Sequence, residues 1–250
     1  MERSYYLDYF ELERKHWWFR ARSRILRDQV AKIRKQKNEP LKILNVGIAT
    51  GASSVMLAEF GWVTSIEYDE LCCAFVREKV GIEVLQGSIT ELQFPANSFD
   101  LVCAFDVIEH VQDDQKAAQE LQRVCNSGGH VLVTVPAFQS LWSAHDEVNH
   151  HFRRYKKNQF KKLFSSSGKI LFSCYFNFFL FPPIWCFRSL SNLFTSSEKK
   201  KKPKSDFESA KTSFFSPVLF QIMLAEKYFL SNKISFPFGV SVFLNWIKTP

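Results

Sequence analysis

The feature that most constrains the fold is a regular alternation of short apolar runs and helical segments between residues 41 and 136. The apolar runs have the length of buried strands and lie at 41–46, 62–66, 82–85, 99–105 and 130–135. Helical periodicity is found at 5–37, 52–60, 71–79 and 114–124. Strands that alternate with helices pair in parallel, because each helix returns the chain to the same end of the sheet. The pattern therefore predicts a doubly wound α/β sheet with helices on both faces.

The regions on either side of this centre differ from it in composition. Of the 26 phenylalanines, 18 lie after residue 150. We therefore divide the chain into three parts, a helical cap at 1–40, a ligand-binding core at 41–140 and an aromatic C-terminal part at 141–250. The last part is predicted to carry loops beside the ligand-binding core, the final strands and a flexible, lysine-rich loop at 195–213.

An uncharged stretch at 170–187 is long enough for a membrane span to be considered. Asn177 and Pro182-Pro183 interrupt it, so we predict a sixth strand followed by a turn. A helix is predicted at 214–230 and a seventh strand at 240–247. The lysine run at 199–204, set between apolar segments, suggests docking on an anionic membrane surface. The alternative is an ordinary extension of the fold with a flexible basic loop.

The charge distribution is uneven. Residues 41–140 carry 5 Lys/Arg against 13 Asp/Glu, whereas the flanks carry 28 against 12. An acidic centre between basic flanks suggests a catalytic or cofactor-binding module with a basic rim, although ordinary solvated surface has the same pattern. No recognition helix or zinc knuckle is evident, so we expect no nucleic-acid partner. The first residues have no apolar leader region and the six cysteines form no CxxC pair, which favours a cytoplasmic setting.

The segment from Asn45 to Gly51 is the strongest motif. Small residues at Gly47, Ala49 and Gly51 follow the first strand and let the backbone approach a ligand closely. Glu67 ends the second strand, where a carboxylate can accept hydrogen bonds from ribose hydroxyls. Together these features predict a site for a cofactor that contains a nucleoside. A dinucleotide fingerprint fits less well, because its third glycine is replaced by Ala52.

Further motifs follow in a fixed order along the chain: His16-Trp17-Trp18-Phe19 with Arg22, the turn at 47–51, Gln86-Gly87-Ser88, Phe99-Asp100-Leu101-Val102, Asp106-Val107-Ile108-Glu109-His110-Val111, Gly128-Gly129, Val135-Pro136-Ala137, Leu141-Trp142-Ser143, His145-Asp146 and His151-Phe152-Arg153-Arg154-Tyr155. With these motifs the chain resembles the class I S-adenosylmethionine-dependent methyltransferases. Within that family, it resembles a bacterial subgroup that has His-Trp-Trp-Phe ahead of the first strand. The resemblance implies a Rossmann-like sheet of seven strands and S-adenosylmethionine as the cofactor.

The resemblance also implies where the cofactor lies. The turn at Gly47–Gly51 would lie under its methionine part, Glu67 would bind the ribose, and Ser88 and Ile89 would lie beside the adenine. Asp106 would face the transferred methyl group. The implied cofactor-binding residues are Asn45, Gly47, Ala49, Gly51, Glu67, Ser88, Ile89 and Asp106. The family usually has Asp in place of Asn45 and Gly in place of Ala49.

Methyl transfer to a hydroxyl needs a base that takes the proton. The candidates for this base are Asp106, Glu109, His110 and His145, and we predict His110, Asp106 and His145 as the catalytic residues. His110 is the most suitable base, because an unperturbed histidine titrates near ~6.5. The alternative is that His110 is a loop histidine whose ring caps a backbone carbonyl. The spacing of Asp106, Glu109 and His110 also fits a metal site that His145 or His150 would complete. Since hydrogen-bonded acid–histidine pairs need no metal, we expect none here. Arg153 and Arg154 could hold an anionic substrate group, or form solvated helix charge.

The expected function is methyl transfer to a small or lipid- or sugar-linked acceptor through an oxygen nucleophile. The enzyme would be cytoplasmic, with peripheral attachment to the inner face of the membrane as an extension of that hypothesis. A second hypothesis is a catalytically silent binding protein that kept the fold after losing the acid at 45 and the glycine at 49. A third is a nicotinamide-dependent oxidoreductase, which the missing third glycine disfavours.

Overall fold

The N-terminal part forms two helices in the computed structural model, which describes residues 3–166, 168–186 and 216–249. Helix α1 covers Arg3–Lys15 and α2 covers Trp17–Arg34. The sequence predicted one helical segment over 5–37, and that prediction is wrong at His16. Its Nδ1 accepts a hydrogen bond from the N–H of Trp18 at 3.3 Å and caps α2. Apolar spacing does not reveal such a cap, because capping depends on a single side chain.

The remaining elements alternate as the sequence predicted. They are β1 Leu41–Val46, α3 Ala52–Leu57, β2 Gly61–Glu67, α4 Glu70–Val80, β3 Leu85–Gln86, β4 Phe99–Phe105, a 3₁₀ turn Ile108–His110, α5 Asp114–Val124, β5 Cys125–Pro136, a second 3₁₀ turn Gln139–Leu141, α6 Ala144–Val148, α7 Lys157–Lys162, β6 Gly168–Phe176, α8 at 181–186, α9 Ser216–Ser231 and β7 Ser241–Lys248.

These strands form one seven-stranded sheet in the order β3-β2-β1-β4-β5-β7-β6. Strands β1 to β5 are parallel, and β7 is antiparallel to both of its neighbours. Val46 of β1 lies opposite Ile66 of β2 and Ala104 of β4. The carboxyl ends of these three strands therefore meet at one edge, which is where open α/β sheets bind ligands. The predicted seven-stranded Rossmann-like sheet is confirmed, and so is the parallel pairing predicted for the strands between residues 41 and 136.

Element bounds agree with the sequence predictions where periodicity is strong and differ where it is weak. Strand β4 and helix α5 have the predicted bounds. Strand β3 is only Leu85–Gln86 instead of 82–85, and β5 begins at Cys125 instead of 130. Strand β3 lies at the sheet edge and pairs with β2 alone, so few backbone hydrogen bonds define it.

The uncharged stretch after residue 170 forms β6 and a turn, as predicted, and then the helix α8, which the sequence did not predict. Within the described residues no helix combines the length and the hydropathy needed to cross a membrane. Helix α9 packs on α2, where Asp28 accepts a hydrogen bond from Ser231 at 2.5 Å and pairs with Lys227 at 3.2 Å. The predicted loop at 195–213, with its lysine run, lies outside the described residues, and the division into three parts stays a prediction.

Candidate active site

The turn after β1 is shaped by backbone conformations that few residues adopt. Gly47, Ala49 and Gly51 have φ values of +68°, +48° and +86°. A Cβ on Gly47 would lie 2.5 Å from the Cγ2 atom of Val107, the second residue after β4. Glycine is therefore required at 47 by both conformation and space. Ala49 adopts a left-handed conformation that costs an L-residue about 1–2 kcal/mol.

Glu67 lies at the end of β2 and joins that strand to the turn. Its Oε2 accepts the N–H of Ala49 at 2.9 Å, and its Oε1 accepts the N–H groups of Tyr68 at 2.9 Å and Asp69 at 3.3 Å. Burial raises the pKa of this carboxyl above its ordinary value, against the backbone hydrogen bonds that lower it. An ionised carboxylate has about four acceptor positions, so one remains for a ligand hydroxyl.

Asn45 is buried in β1 and does not contribute its amide to the open side of the turn. The amide nitrogen donates to the hydroxyls of Ser53 and Ser54 at 2.8 and 2.9 Å, and Ser54 is hydrogen bonded to Ser65 at 2.8 Å. Asn45 therefore ties β1 to α3 and β2. An amide fits at this position, where the family that the chain resembles usually has Asp, because both serine hydroxyls can accept hydrogen bonds from it.

Ser88 and Ile89 lie next to the end of β2, since the N–H of Gly87 donates to the carbonyl of Glu67 at 3.0 Å. Ile89 is buried in the main core, and the Ser88 hydroxyl is hydrogen bonded to Thr90 at 2.8 Å. The structure thus places Ser88 and Ile89 close to Glu67, and their role beside the adenine stays a prediction from the resemblance.

Helix α1 covers the turn through residues that the sequence analysis missed. Glu13 is hydrogen bonded to the hydroxyl of Thr50, and Arg14 donates to the carbonyl of Thr50 at 3.1 Å. Tyr6 of the same helix donates to Asp69 at 2.5 Å. Burial raises the pKa of Glu13 to about 7. No local pattern could have indicated these contacts, because the residues lie 36 to 63 positions apart.

Asp106, just after β4, is held by charge and hydrogen bonds. Its Oδ2 pairs with Arg22 of α2 at 2.7 Å, and its Oδ1 accepts the hydroxyl of Thr134 of β5 at 3.0 Å. Arg22 also donates to Thr134 at 2.7 Å. Trp17 and Trp18 are partly buried against the main core, which accounts for two of the aromatic residues ahead of β1. The His16–Phe19 motif thus caps and anchors the helix that presents Arg22.

Three histidines gather beyond Asp106. The rings of His110 and His151 lie 4.5 Å apart, and those of His145 and His151 lie 6.0 Å apart. The pKa of His110 is lowered to about 4, first by desolvation and then by His151, although part of the residue stays exposed. The structure therefore groups His110 with His145 as predicted, but gives His110 a weaker basicity than its unperturbed value suggested.

Asp146 holds His151 of this group in place through hydrogen bonds and also binds Arg154. It is fully buried and accepts hydrogen bonds from His151 and Arg154, both at 2.8 Å. Burial opposes ionisation, yet these two donors hold the pKa of Asp146 below its usual range. Arg153 pairs with Asp114 at 2.9 Å. Both arginines thus have carboxylate partners within the chain, and the suggestion that they hold an anionic substrate group stays a prediction.

The central part of the chain is similar to known proteins. A family model described as a methyltransferase domain matches residues 44–133. The matched segment contains the turn at 47–51 and Glu67. The His16–Phe19 motif lies before the matched residues, so membership of the expected subgroup with that motif stays a prediction.

Three curated relatives match parts of the chain. A "Probable S-adenosylmethionine-dependent methyltransferase" of Mycobacterium tuberculosis is 30% identical over 128 residues, 50% of this chain and 45% of that protein. A phosphatidylethanolamine N-methyltransferase of Cereibacter sphaeroides is 33% identical over 99 residues, 37% and 49% of the two chains. A demethylmenaquinone methyltransferase of Listeria welshimeri is 31% identical over 137 residues, 51% and 58%. The chain thus spans about half the length of these relatives.

Solved structures share the fold. A "putative methyltransferase" from Bacillus halodurans has a TM-score of 0.55 at 18% identity, covering 88% of this chain and 99% of that one. The [4+2]-cyclase SpnF has a TM-score of 0.57 at 17% identity, covering 93% and 83%. The fold is that of class I methyltransferases. Because a structure named as a cyclase shares it, the fold alone does not fix the reaction.

The residues at the turn fit S-adenosylmethionine, the cofactor that the domain and its relatives imply. Gly47 allows the close backbone approach, and Glu67 keeps an acceptor position beside the segment at Gly87. The acidic excess of residues 41–140 suits a cationic sulfonium cofactor. The residues that would hold it are the turn at 47–51, Glu67 and the segment at 87–89.

Proposed function

We propose that this chain transfers a methyl group from S-adenosylmethionine to an oxygen atom of a small or lipid- or sugar-linked acceptor. The observation that carries the proposal is the hydrogen bond of the Glu67 carboxylate to the turn formed by Gly47, Ala49 and Gly51. That arrangement places the carboxylate that would accept hydrogen bonds from the ribose next to the turn at 47–51, which allows close approach of a ligand, at one edge of the sheet.

The chain's own part in the reaction is to bind the cofactor, align the acceptor with its methyl group and exclude water from both. S-adenosylmethionine supplies an already activated methyl group, so the protein mainly supplies proximity. Asp106 lies at the end of β4 with its carboxylate fixed by Arg22 and Thr134, which suits a residue that positions the acceptor. Helices α1 and α2 cover the edge through Thr50 and Asp106, and this cover would exclude water.

His110 stays the candidate base, although its lowered pKa restricts the hydroxyl groups from which it can take a proton. A histidine whose pKa is lowered to about 4 is neutral at pH 7 and is a weak base. It can take the proton from the hydroxyl of the methyl acceptor only if the surroundings lower the pKa of that hydroxyl. If His110 is the base, His110→Ala lowers turnover, leaves cofactor affinity intact and removes the acidic limb of the pH–rate profile. Persistence of that limb in the variant argues against this role.

A lipid-linked acceptor is favoured by the C-terminal part. Phe179, Trp185, Val218 and Ile222 expose large apolar side chains between the end of β6 and α9. Arg20 and Arg24 of α2 lie near the ring of Phe220, at 5.5 and 4.9 Å. Cations next to exposed apolar groups suit the surface of an anionic leaflet. We therefore propose that the enzyme is cytoplasmic and attaches peripherally to the inner face of the membrane.

Flotation tests the attachment. Binding to vesicles that contain anionic lipid should be strong at low salt and weak at high salt, and deletion of 198–204 should abolish it. A variant with the same lysines replaced by arginines is the matched control and should still bind. Absence of binding at low salt rejects the attachment but leaves the methyl transfer standing.

Labelling identifies the acceptor. The purified chain is incubated with S-adenosylmethionine labelled in its methyl group and with lipid and water-soluble fractions of a cell extract, separately. We expect a labelled product, with its label on oxygen, in the lipid fraction. Label confined to the soluble fraction contradicts the lipid-linked acceptor, and label on nitrogen or carbon contradicts the oxygen nucleophile.

The silent binding protein remains the second candidate, favoured by the left-handed Ala49 and the inward-facing Asn45. It predicts weak or absent cofactor binding. A titration of the chain with S-adenosylmethionine separates the two candidates before any acceptor is known.

A further inference from the structure

Glu13 lies near the end of helix α1 and places a carboxylate on the turn that follows β1. Its Oε2 accepts a hydrogen bond from the hydroxyl of Thr50, and the next residue, Arg14, donates to the carbonyl of Thr50 at 3.1 Å. Only 12% of the Glu13 side chain is exposed. The carboxylate is therefore part of the cover of the turn at 47–51 and not of the solvated face of α1.

The charge of the Glu13 carboxylate is poorly compensated by the chain. Among the described residues it forms an ion pair with Arg14 at 3.8 Å, which is longer than a hydrogen bond. The Arg14 guanidinium instead donates to the carbonyl of Phe10 at 3.2 Å and lies 3.5 Å from the centre of the Phe10 ring. Burial accordingly raises the pKa of Glu13 to about 7. A buried carboxylate is costly without a close cation, so a cation that reaches this one is bound favourably.

The turn itself carries no charge that could replace Glu13. From Asn45 to Ala58 the sequence contains no charged residue. The Asn45 amide is directed at the hydroxyls of Ser53 and Ser54, at 2.8 and 2.9 Å. Helix α1 thus brings a carboxylate from another part of the chain to a neutral turn.

The position of the turn indicates which part of the cofactor this carboxylate meets. On one side Glu67 accepts the N–H of Ala49, and on the other Gly47 lies against Val107, which follows Asp106. In the proposed function Glu67 binds the ribose and Asp106 faces the methyl group, and the amino-acid part of the cofactor is bonded to the same sulfur as that methyl group. The amino-acid part therefore meets the turn, and this placement rests on the proposed function.

We propose that Glu13 binds the α-ammonium group of the methionine part of S-adenosylmethionine. An ammonium group has three N–H donors whereas the sulfonium has none, so the ammonium is the cation that can make a charge-assisted hydrogen bond here. Thr50 uses one of about four acceptor positions of the carboxylate, which leaves room for the ammonium. Glu13 then supplies from α1 the negative charge that Asn45 does not supply from β1.

The test is calorimetric titration of the full chain and of Glu13→Gln at pH 7.5 with three ligands. They are S-adenosylmethionine, S-adenosylhomocysteine, which keeps the ammonium but has a neutral sulfur, and 5′-methylthioadenosine, which lacks the amino-acid part. We expect Glu13→Gln to weaken binding of the first two by roughly 10- to 150-fold, as for a lost hydrogen bond to a charged group, and to leave that of 5′-methylthioadenosine unchanged. Glutamine has nearly the same shape, and its carbonyl oxygen still accepts from Thr50.

Glu11→Gln is the matched control. It removes an acid of the same helix that pairs with Lys15, and it should leave all three affinities unchanged. Retained binding of 5′-methylthioadenosine shows that a variant is folded.

The pattern across the ligands decides the outcome. Equal weakening of all three by Glu13→Gln would assign Glu13 a structural role in the turn, and weakening of S-adenosylmethionine alone would assign it to the sulfonium. Either result overturns the proposal, as does unchanged binding of all three. If the parent binds none of the ligands, the proposed function fails as well, whereas unchanged binding in Glu13→Gln contradicts this inference alone.

A measurement on the parent alone keeps the test decisive if Glu13→Gln folds poorly. S-adenosylhomocysteine without its α-amino group should bind the parent more weakly than S-adenosylhomocysteine itself, again by roughly 10- to 150-fold. Equal affinity for the two ligands overturns the proposal.

Discussion

Two regions of the molecule are held together in different ways. One is the edge of the sheet that we propose binds the cofactor, formed by the turn at 47–51 and Glu67 and called the cofactor edge below, and the other is the aromatic C-terminal part at 141–250. At the cofactor edge, tight turns with left-handed residues and a carboxylate on backbone N–H groups fix the chain. In the C-terminal part, aromatic rings fill the space, as in the stack of Phe178 on Phe236 with centroids 4.5 Å apart. The first kind of structure requires particular residues at particular positions, whereas the second requires only large apolar side chains.

The largest expected effect contrasts two glycines of similar backbone conformation. Gly47→Ala should destabilise the protein by about 2–4 kcal/mol, because left-handed strain adds to overlap with Val107. Gly81→Ala should cost only about 1–2 kcal/mol, since φ there is +74° and, apart from its two chain neighbours, no residue has an atom within 4 Å of the added Cβ. Urea unfolding measures both. Equal losses would show that space at the turn is not what constrains residue 47.

The second prediction concerns a buried acid in the C-terminal part. Glu226 accepts the N–H groups of Asn177 at 2.6 Å and Phe179 at 3.1 Å, and burial raises its pKa to about 7. An acid that keeps its proton longer when folded loses stability as pH rises, here between about pH 4.5 and 7, by up to about 3 kcal/mol.

Unfolding in urea at pH 5 and pH 8 measures this effect. The parent should lose more stability over that interval than Glu226→Gln does, whatever the variant costs at either pH. Matching pH dependence in the two proteins would exclude titration of Glu226 as the cause.

The third prediction separates the two regions directly. Phe243 is fully buried in β7, and Phe243→Leu should cost about 1–2 kcal/mol through imperfect repacking. The folded variant should still bind S-adenosylmethionine as the parent does. The control Tyr228→Leu changes an exposed aromatic residue of α9 and should leave stability within about 0.5 kcal/mol. A loss of cofactor affinity in Phe243→Leu would show that the regions are coupled.

The smallest expected effect is a gain. Ala49→Gly should stabilise the protein by up to about 1 kcal/mol, because glycine adopts the left-handed conformation without a Cβ penalty. Ala31→Gly in α2 is the matched control and should destabilise by about 1 kcal/mol. Differential scanning calorimetry of both variants checks the opposite signs. Destabilisation by both would mean that Ala49 is not strained.

The sequence predicted the geometry of the cofactor edge well because its determinants are local, and the binding of a cofactor there stays a prediction. Gly47, Gly51 and Glu67 follow strands whose ends meet once the sheet is parallel, and β4 and α5 have strong periodicity and clear boundaries. Strand β7 was placed within one residue but not oriented, since direction depends on how the chain returns to the sheet. The contacts of Glu13 with Thr50 and of His151 with Asp146 come from tertiary packing, which no spacing encodes.

The most direct test of the account is calorimetric titration of S-adenosylmethionine into the full chain and into Glu67→Ala. The parent should bind one equivalent, and the variant should bind more weakly by ~1.5–3 kcal/mol, roughly 10- to 150-fold, because charge-assisted hydrogen bonds to the ribose are lost. Glu59→Ala is the control, since it removes a surface acid that pairs with Arg27, and its affinity should not change. Equal affinity in the parent and Glu67→Ala, or no binding by the parent, would contradict the assignment of this edge as the cofactor site.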